Sequence, residues 1–190
     1  MLSRRTLCCA FAAAPLAAAW PCAAVAADNY VSLMHAAVMR RNDGCYVDAQ
    51  WEFDLANTLI ESLQRGIALY FVCQFRLQKK RWYWFDKDVD AIELVQRLSF
   101  SPLSRNYRLS CGGLSQTFET LEQALPVVKS VREWRVCDPI SLKNIHDYEA
   151  EVRLRLDSSR LPKPLKVTIG GNSDWDLDSD WVPAPIAVAK

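Results

Sequence analysis

The chain has 190 residues, 51% of them hydrophobic and 24% charged, with a formal net charge of +1. That balance excludes an intrinsically disordered chain and supplies no basic field for nucleic acid. It leaves enough apolar residue for one globular core.

Residues 1–26 read as a secretory signal peptide: Arg4-Arg5, an Ala-rich apolar stretch from Thr6 to Ala19, then Ala24-Val25-Ala26 as an A-x-A site before Ala27. The apolar stretch is too short and too rich in alanine for a good membrane anchor. Ser3-Arg4-Arg5-Thr6-Leu7 is also compatible with twin-arginine export, so the general secretory and twin-arginine routes both stand. Trp20-Pro21 ahead of Cys22 lacks the small residues of a lipid-attachment signal. The expected mature chain, 27–190, is a single β-rich domain in a bacterial periplasm, with no transmembrane segment. Loss of the leader leaves 21 basic against 22 acidic residues and four of the seven cysteines, Cys45, Cys73, Cys111 and Cys137. These four are candidate disulfide cysteines in an oxidising compartment, with three connectivities open if all pair. Cys45, Cys73 and Cys111 also fall on the apolar side of strand patterns, where a thiol packs as a small hydrophobe. None has C-x-x-C spacing.

In chain order, Asn29 to Arg41 is strand-compatible, and Asn42-Asp43-Gly44 predicts a hairpin turn. The return strand places Cys45, Val47, Ala49, Trp51 and Phe53 on one face. Asp54 is placed to cap a helix carrying Leu55, Leu59, Ile60 and Leu63, which Gly66 ends. Strict alternation from Ile67 to Leu77 predicts a half-buried strand, and a further extended stretch covers Ala91 to Phe100. Tyr107, Leu109 and Cys111 give a short strand ended by Gly112-Gly113. Thr117 signals a second helix through Leu121, Ala124, Leu125 and Val128, which Pro126 bends or stops. Val131 to Cys137 is strand-like, Tyr148 to Asp157 alternates most clearly, and an extended segment runs from Leu161 to Ile169. The predicted class is α+β, mainly β: an antiparallel sandwich or curved sheet with two short helices.

Chemistry-bearing residues are sparse. His35 and His146 are the only histidines, neither stands in a metal-ligand spacing, and no nucleophile elbow or phosphate-binding glycine loop occurs. No cofactor is implied. Arg81-Trp82-Tyr83-Trp84-Phe85 is either a ligand-stacking platform or a strand with both faces covered, and aromatic strand propensity favours the second. Asp174, Asp176, Asp178 and Asp180 alternate with Trp175, Leu177 and Trp181. A calcium loop lacks its glycine and distal acid here, so an extended strand with solvated acids is expected. Arg81, Arg105 and Arg108 lie beside aromatic residues and are candidate partner contacts, the alternative being solvated strand edges that deter aggregation.

Gly66-Ile67-Ala68-Leu69, Arg81-Trp82-Tyr83-Trp84, the run Leu103 to Leu109, Arg153 to Asp157 with Leu161-Pro162-Lys163-Pro164-Leu165, and Ser173-Asp174-Trp175 resemble an uncharacterised family of exported proteobacterial proteins. The likeness spans nearly the whole mature chain. It implies export and a single domain, a setting beside a membrane sensor histidine kinase, and no catalytic residues. The expected function is a non-catalytic binding or interaction module, acting on an envelope protein partner such as that kinase. The alternatives are a carrier or sensor of an apolar ligand, and a hydrolase without a recognisable motif.

Overall fold

Period-two alternation of apolar and polar side chains builds most of the computed structural model, which describes residues 31–79, 87–138, 147–161 and 173–188. Strand β1 (Ser32–Arg41) and strand β2 (Gly44–Glu52) form the expected antiparallel hairpin, with Arg41 opposite Gly44. The loop is therefore Asn42-Asp43, and Gly44 already belongs to the strand. Room is tight there: a Cβ would sit 3.0 Å from Arg135 Nε and 3.1 Å from the Cys137 carbonyl oxygen, so a side chain would push its neighbours back by a few tenths of an ångström. The predicted inward set of β2, Cys45 to Phe53, is buried throughout.

Helix α1 (Asn57–Gln64) buries Leu59 and Leu63, one turn apart. Eight residues are too few for a stable isolated helix, so this face against the core holds it. The structure corrects its start: Ala56, not Asp54, is the N-cap, and it offers no side-chain cap. Gly66 ends the helix as expected, at φ +87°, with Gly66 N–H donating to Leu63 and Ile67 N–H to Ser62. These two bonds form the left-handed cap that glycine adopts without a Cβ penalty.

Strands β3 (Leu69–Lys79), β4 (Lys87–Ser101), β5 (Asn106–Cys111) and β6 (Leu114–Phe118) form an antiparallel meander. Gly112 and Gly113 both have positive φ, which closes the β5–β6 hairpin in two residues. Strand β6 is a correction: sequence reading stops at the glycines because Leu114 to Thr117 are all exposed and carry no apolar period. Its presence moves the second helix cap from Thr117, now in β6, to Thr120. Helix α2 (Leu121–Val128) starts with Gln123 N–H donating to Thr120 Oγ1 at 3.4 Å and ends two residues after Pro126.

Strand β7 (Ser130–Cys137) pairs with β2, and strand β8 (Tyr148–Leu156) with β3. Two short strands follow, β9 (Val182–Ala184) on β8 and β10 (Ile186–Val188) parallel to β1. The result is a four-stranded sheet, β10-β1-β2-β7, and a six-stranded sheet, β6-β5-β4-β3-β8-β9. The class is α+β and mainly β, as expected. Buried residues of both sheets, with Leu59, Leu63, Leu121, Ala124 and Val128 from the helices, make one connected core.

The acidic run near the C-terminus is not the expected strand with solvated carboxylates. Ser173–Trp175 is a 3₁₀ turn, and Asp178 makes only an isolated bridge to Arg155. Trp175 and Leu177 are buried and Asp176 and Asp180 exposed as expected, but Asp174 and Asp178 have protein partners. Asp174 accepts from the Thr58 hydroxyl at 2.8 Å, tying this turn to the start of α1. Asp178 receives both Nε and Nη2 of Arg153. Among the described residues, no three of His, Cys, Asp and Glu come together as a metal site.

Candidate binding groove

Sheets of four and six strands cannot cover each other completely. Strand β7 is the edge of the narrower sheet, so the inner faces of β5 and β6 extend beyond it, where α2 packs against them. The mismatch opens a groove of about 310 Å³. Its floor is the inner face of the larger sheet: Leu94 and Gln96 from β4, Leu109 and Cys111 from β5, Leu114 and Gln116 from β6. Opposite stand Val127 of α2 and Ser130, Val131, Arg132 and Trp134 of β7. Leu114, at the outer end of this floor, is 78% exposed.

Gln96 is the unusual member. It holds an inward position between Leu94 and Leu98, is only 4% exposed, and its Oε1 has no hydrogen-bond partner among the described residues. A buried amide oxygen without a donor costs about 1–3 kcal/mol. Cys111 lines the same groove, and burial pushes its thiol above the ordinary cysteine value. Burial raises Cys73 further, with the nearby Cys111 adding to the effect, so both are scarce as thiolates and poor nucleophiles.

Sequence reading did not single out Gln96, although the signal exists: one amide interrupts the inward series Leu94, Leu98, Phe100. The groove itself carries no such signal, because its residues come from five elements between positions 94 and 134.

The sequence-predicted site residues are dispersed. Arg81 and His146 lie outside the described residues, as do Trp82, Tyr83, Trp84 and Phe85. His35 is exposed on β1, opposite Gln50. Arg105 ends the Pro102–Arg105 turn at φ 54°, and Arg108 points from β5 to the outer face of the larger sheet. Arg108 is not on an edge, since β4 and β6 flank it, so edge protection does not account for it. Cys45 stands opposite Cys137 in register between β2 and β7, whereas β4 separates Cys73 on β3 from Cys111 on β5.

A charged cluster lies at the other end of that outer face. Arg76 bonds Glu151, Arg153 bonds Asp178, and both guanidinium groups lie over the Trp181 ring, at 4.2 and 5.9 Å from its centroid. The neighbouring Asp157 is pushed up by burial, but hydrogen bonds from Ser159 and Arg160 and the charge of Arg155 outweigh this and hold it below the ordinary carboxylate value. These groups satisfy one another, which is the signature of a structural network rather than a vacant site.

No curated protein and no solved structure is a match for the chain. Residues 29–184 match the model of a family described as "Domain of unknown function (DUF4390)". The chain belongs to that family.

Proposed function

We propose that this is an exported periplasmic binding protein that holds a small, largely apolar ligand bearing one hydrogen-bond donor. The observation that carries this is the buried Oε1 of Gln96, without a partner among the described residues, in the floor of a mainly apolar groove. A volume of about 310 Å³ is at the small end of the range for ligand sites. A hydroxyl or amide N–H placed against Gln96 would satisfy its oxygen, while Leu94, Leu109 and Trp134 take the apolar part.

Native mass spectrometry of protein purified from the periplasm tests this, together with titration by 1-decanol and by decyl methyl ether, which lacks the donor. A bound small-molecule mass, or decanol binding clearly tighter than the ether, supports the reading. A bare polypeptide that distinguishes neither probe overturns it.

A second reading, an accessory to an envelope sensor kinase, is favoured by one feature. Leu103 is 98% exposed at the tip of the Pro102–Arg105 turn, which also carries Arg105, a residue type enriched where proteins meet. Pull-down from envelope extract with wild type and Leu103→Asp tests it. Recovery of the same proteins by both removes this turn from consideration.

A further inference from the structure

The outer face of the larger sheet holds a second concavity, of about 460 Å³, at the β4–β5–β6 end. Arg97 and Arg108 line it together with the hydroxyl residues Ser99, Ser101, Ser104 and Thr117, and no carboxylate among the described residues does. Register places the two arginines close: Ser99 faces Arg108 and Arg97 faces Ser110, so Arg97 and Arg108 are diagonal neighbours. Such positions are about 7–8 Å apart at the backbone, well within the joint reach of two arginine side chains.

Tyr70 holds one of them. The Arg97 Nε donates to the Tyr70 hydroxyl at 3.3 Å, which steadies the guanidinium from the β3 side. Among the described residues, neither Arg97 nor Arg108 forms an ion pair, although the arginines at the opposite end of the same face are matched to Glu151 and Asp178. Arg105 adds a third positive charge on the turn that supplies Ser104. Like charges on adjacent strands repel, and no carboxylate among the described residues pairs with them here.

We infer that this cleft binds the phosphate group of a phosphorylated ligand. Guanidinium groups meet phosphate through paired N–H donors, and serine and threonine hydroxyls supply the remaining donors to its oxygens. The group can reach the cleft on a soluble phosphomonoester or on a lipid headgroup, since the cleft lies on an exposed face. This inference is independent of the apolar groove, which opens on the inner face of the same sheet.

The test uses protein purified from the periplasm at low salt. Calorimetric titration with glycerol 3-phosphate forms one arm, and co-flotation with phosphatidylcholine vesicles, with and without phosphatidic acid, forms the other. Each of Arg97→Gln and Arg108→Gln should weaken binding about tenfold, the effect of losing one charged hydrogen bond. The double variant Arg40→Gln/Arg65→Gln, which removes two positive charges elsewhere, should bind as wild type. Thermal melts of every variant establish that the fold is kept. Binding of the soluble ester identifies a soluble ligand, and binding only to vesicles with phosphatidic acid identifies a headgroup. Failure of both arms, or equal loss in the control variant, overturns the inference.

Discussion

Replacing Gln96 by leucine separates a binding residue from a structural one. In wild type the amide oxygen is buried with no donor among the described residues, a penalty of about 1–3 kcal/mol when the groove is empty. Leucine has similar bulk and no polar atom, and the flanking inward residues Leu94 and Leu98 give it aliphatic neighbours on the same strand face. The ligand-free Gln96→Leu protein should therefore be more stable than wild type by about 1–3 kcal/mol. At about 2–4 °C per kcal/mol for a chain of this size, its Tm rises by several degrees. Affinity for 1-decanol should fall about tenfold as the acceptor is lost, while affinity for decyl methyl ether stays the same. Calorimetric melting with a parallel probe titration reads both. A lower Tm with unchanged decanol affinity would show that Gln96 serves the fold, and would refute the assignment of the groove.

Three further outcomes are expected. Thr120→Ala removes the side-chain cap of α2 and should lower stability by about 1 kcal/mol in urea unfolding, while Thr117→Ala, in an exposed strand, should change it little. Asp157 has a folded value below its unfolded one of about 3.9, so its contribution is full above that value and is lost as pH falls through the folded value. Asp157→Asn should accordingly be less stable at neutral pH, with the gap to wild type closing on acidification, as read by urea midpoints from pH 7 to pH 2. Cys45 and Cys137, as facing residues of an antiparallel pair, have Cα atoms about 4.5–5.5 Å apart, within disulfide range. Exchange with an oxidised dithiol protein should join them, transferring both electrons and both protons to the donor's disulfide. The denatured, unreduced protein would then be lighter by two hydrogens. A Cys73–Cys111 link in peptide mapping would contradict the topology, since β4 keeps these strands about 9–10 Å apart.

Period-two alternation determined most of the strands from sequence alone, because one face of each is dry and the other wet. Cys45 to Phe53 and Tyr148 to Leu156 read directly for that reason. Gly66 was legible as a helix end because a left-handed residue there excludes most side chains. Strand β6 was not, since both its faces meet solvent and burial leaves no imprint on Leu114 to Thr117. The acidic run was misread for the opposite reason. Its alternation is real, but Arg153 and Thr58, distant in sequence, decide where those carboxylates go.

Both candidate sites belong to the tertiary structure. The groove exists because one sheet has four strands and the other six, and strand number and order are set by long-range pairing that no local pattern encodes. The cleft exists because β4 and β5 pair in the register that makes Arg97 and Arg108 neighbours. The sequence determined which residues face inward and which outward, since that follows from local periodicity. Only the fold decided which outward arginines lack a counter-charge and which inward amide lacks a donor, because a missing partner is a property of three-dimensional neighbours.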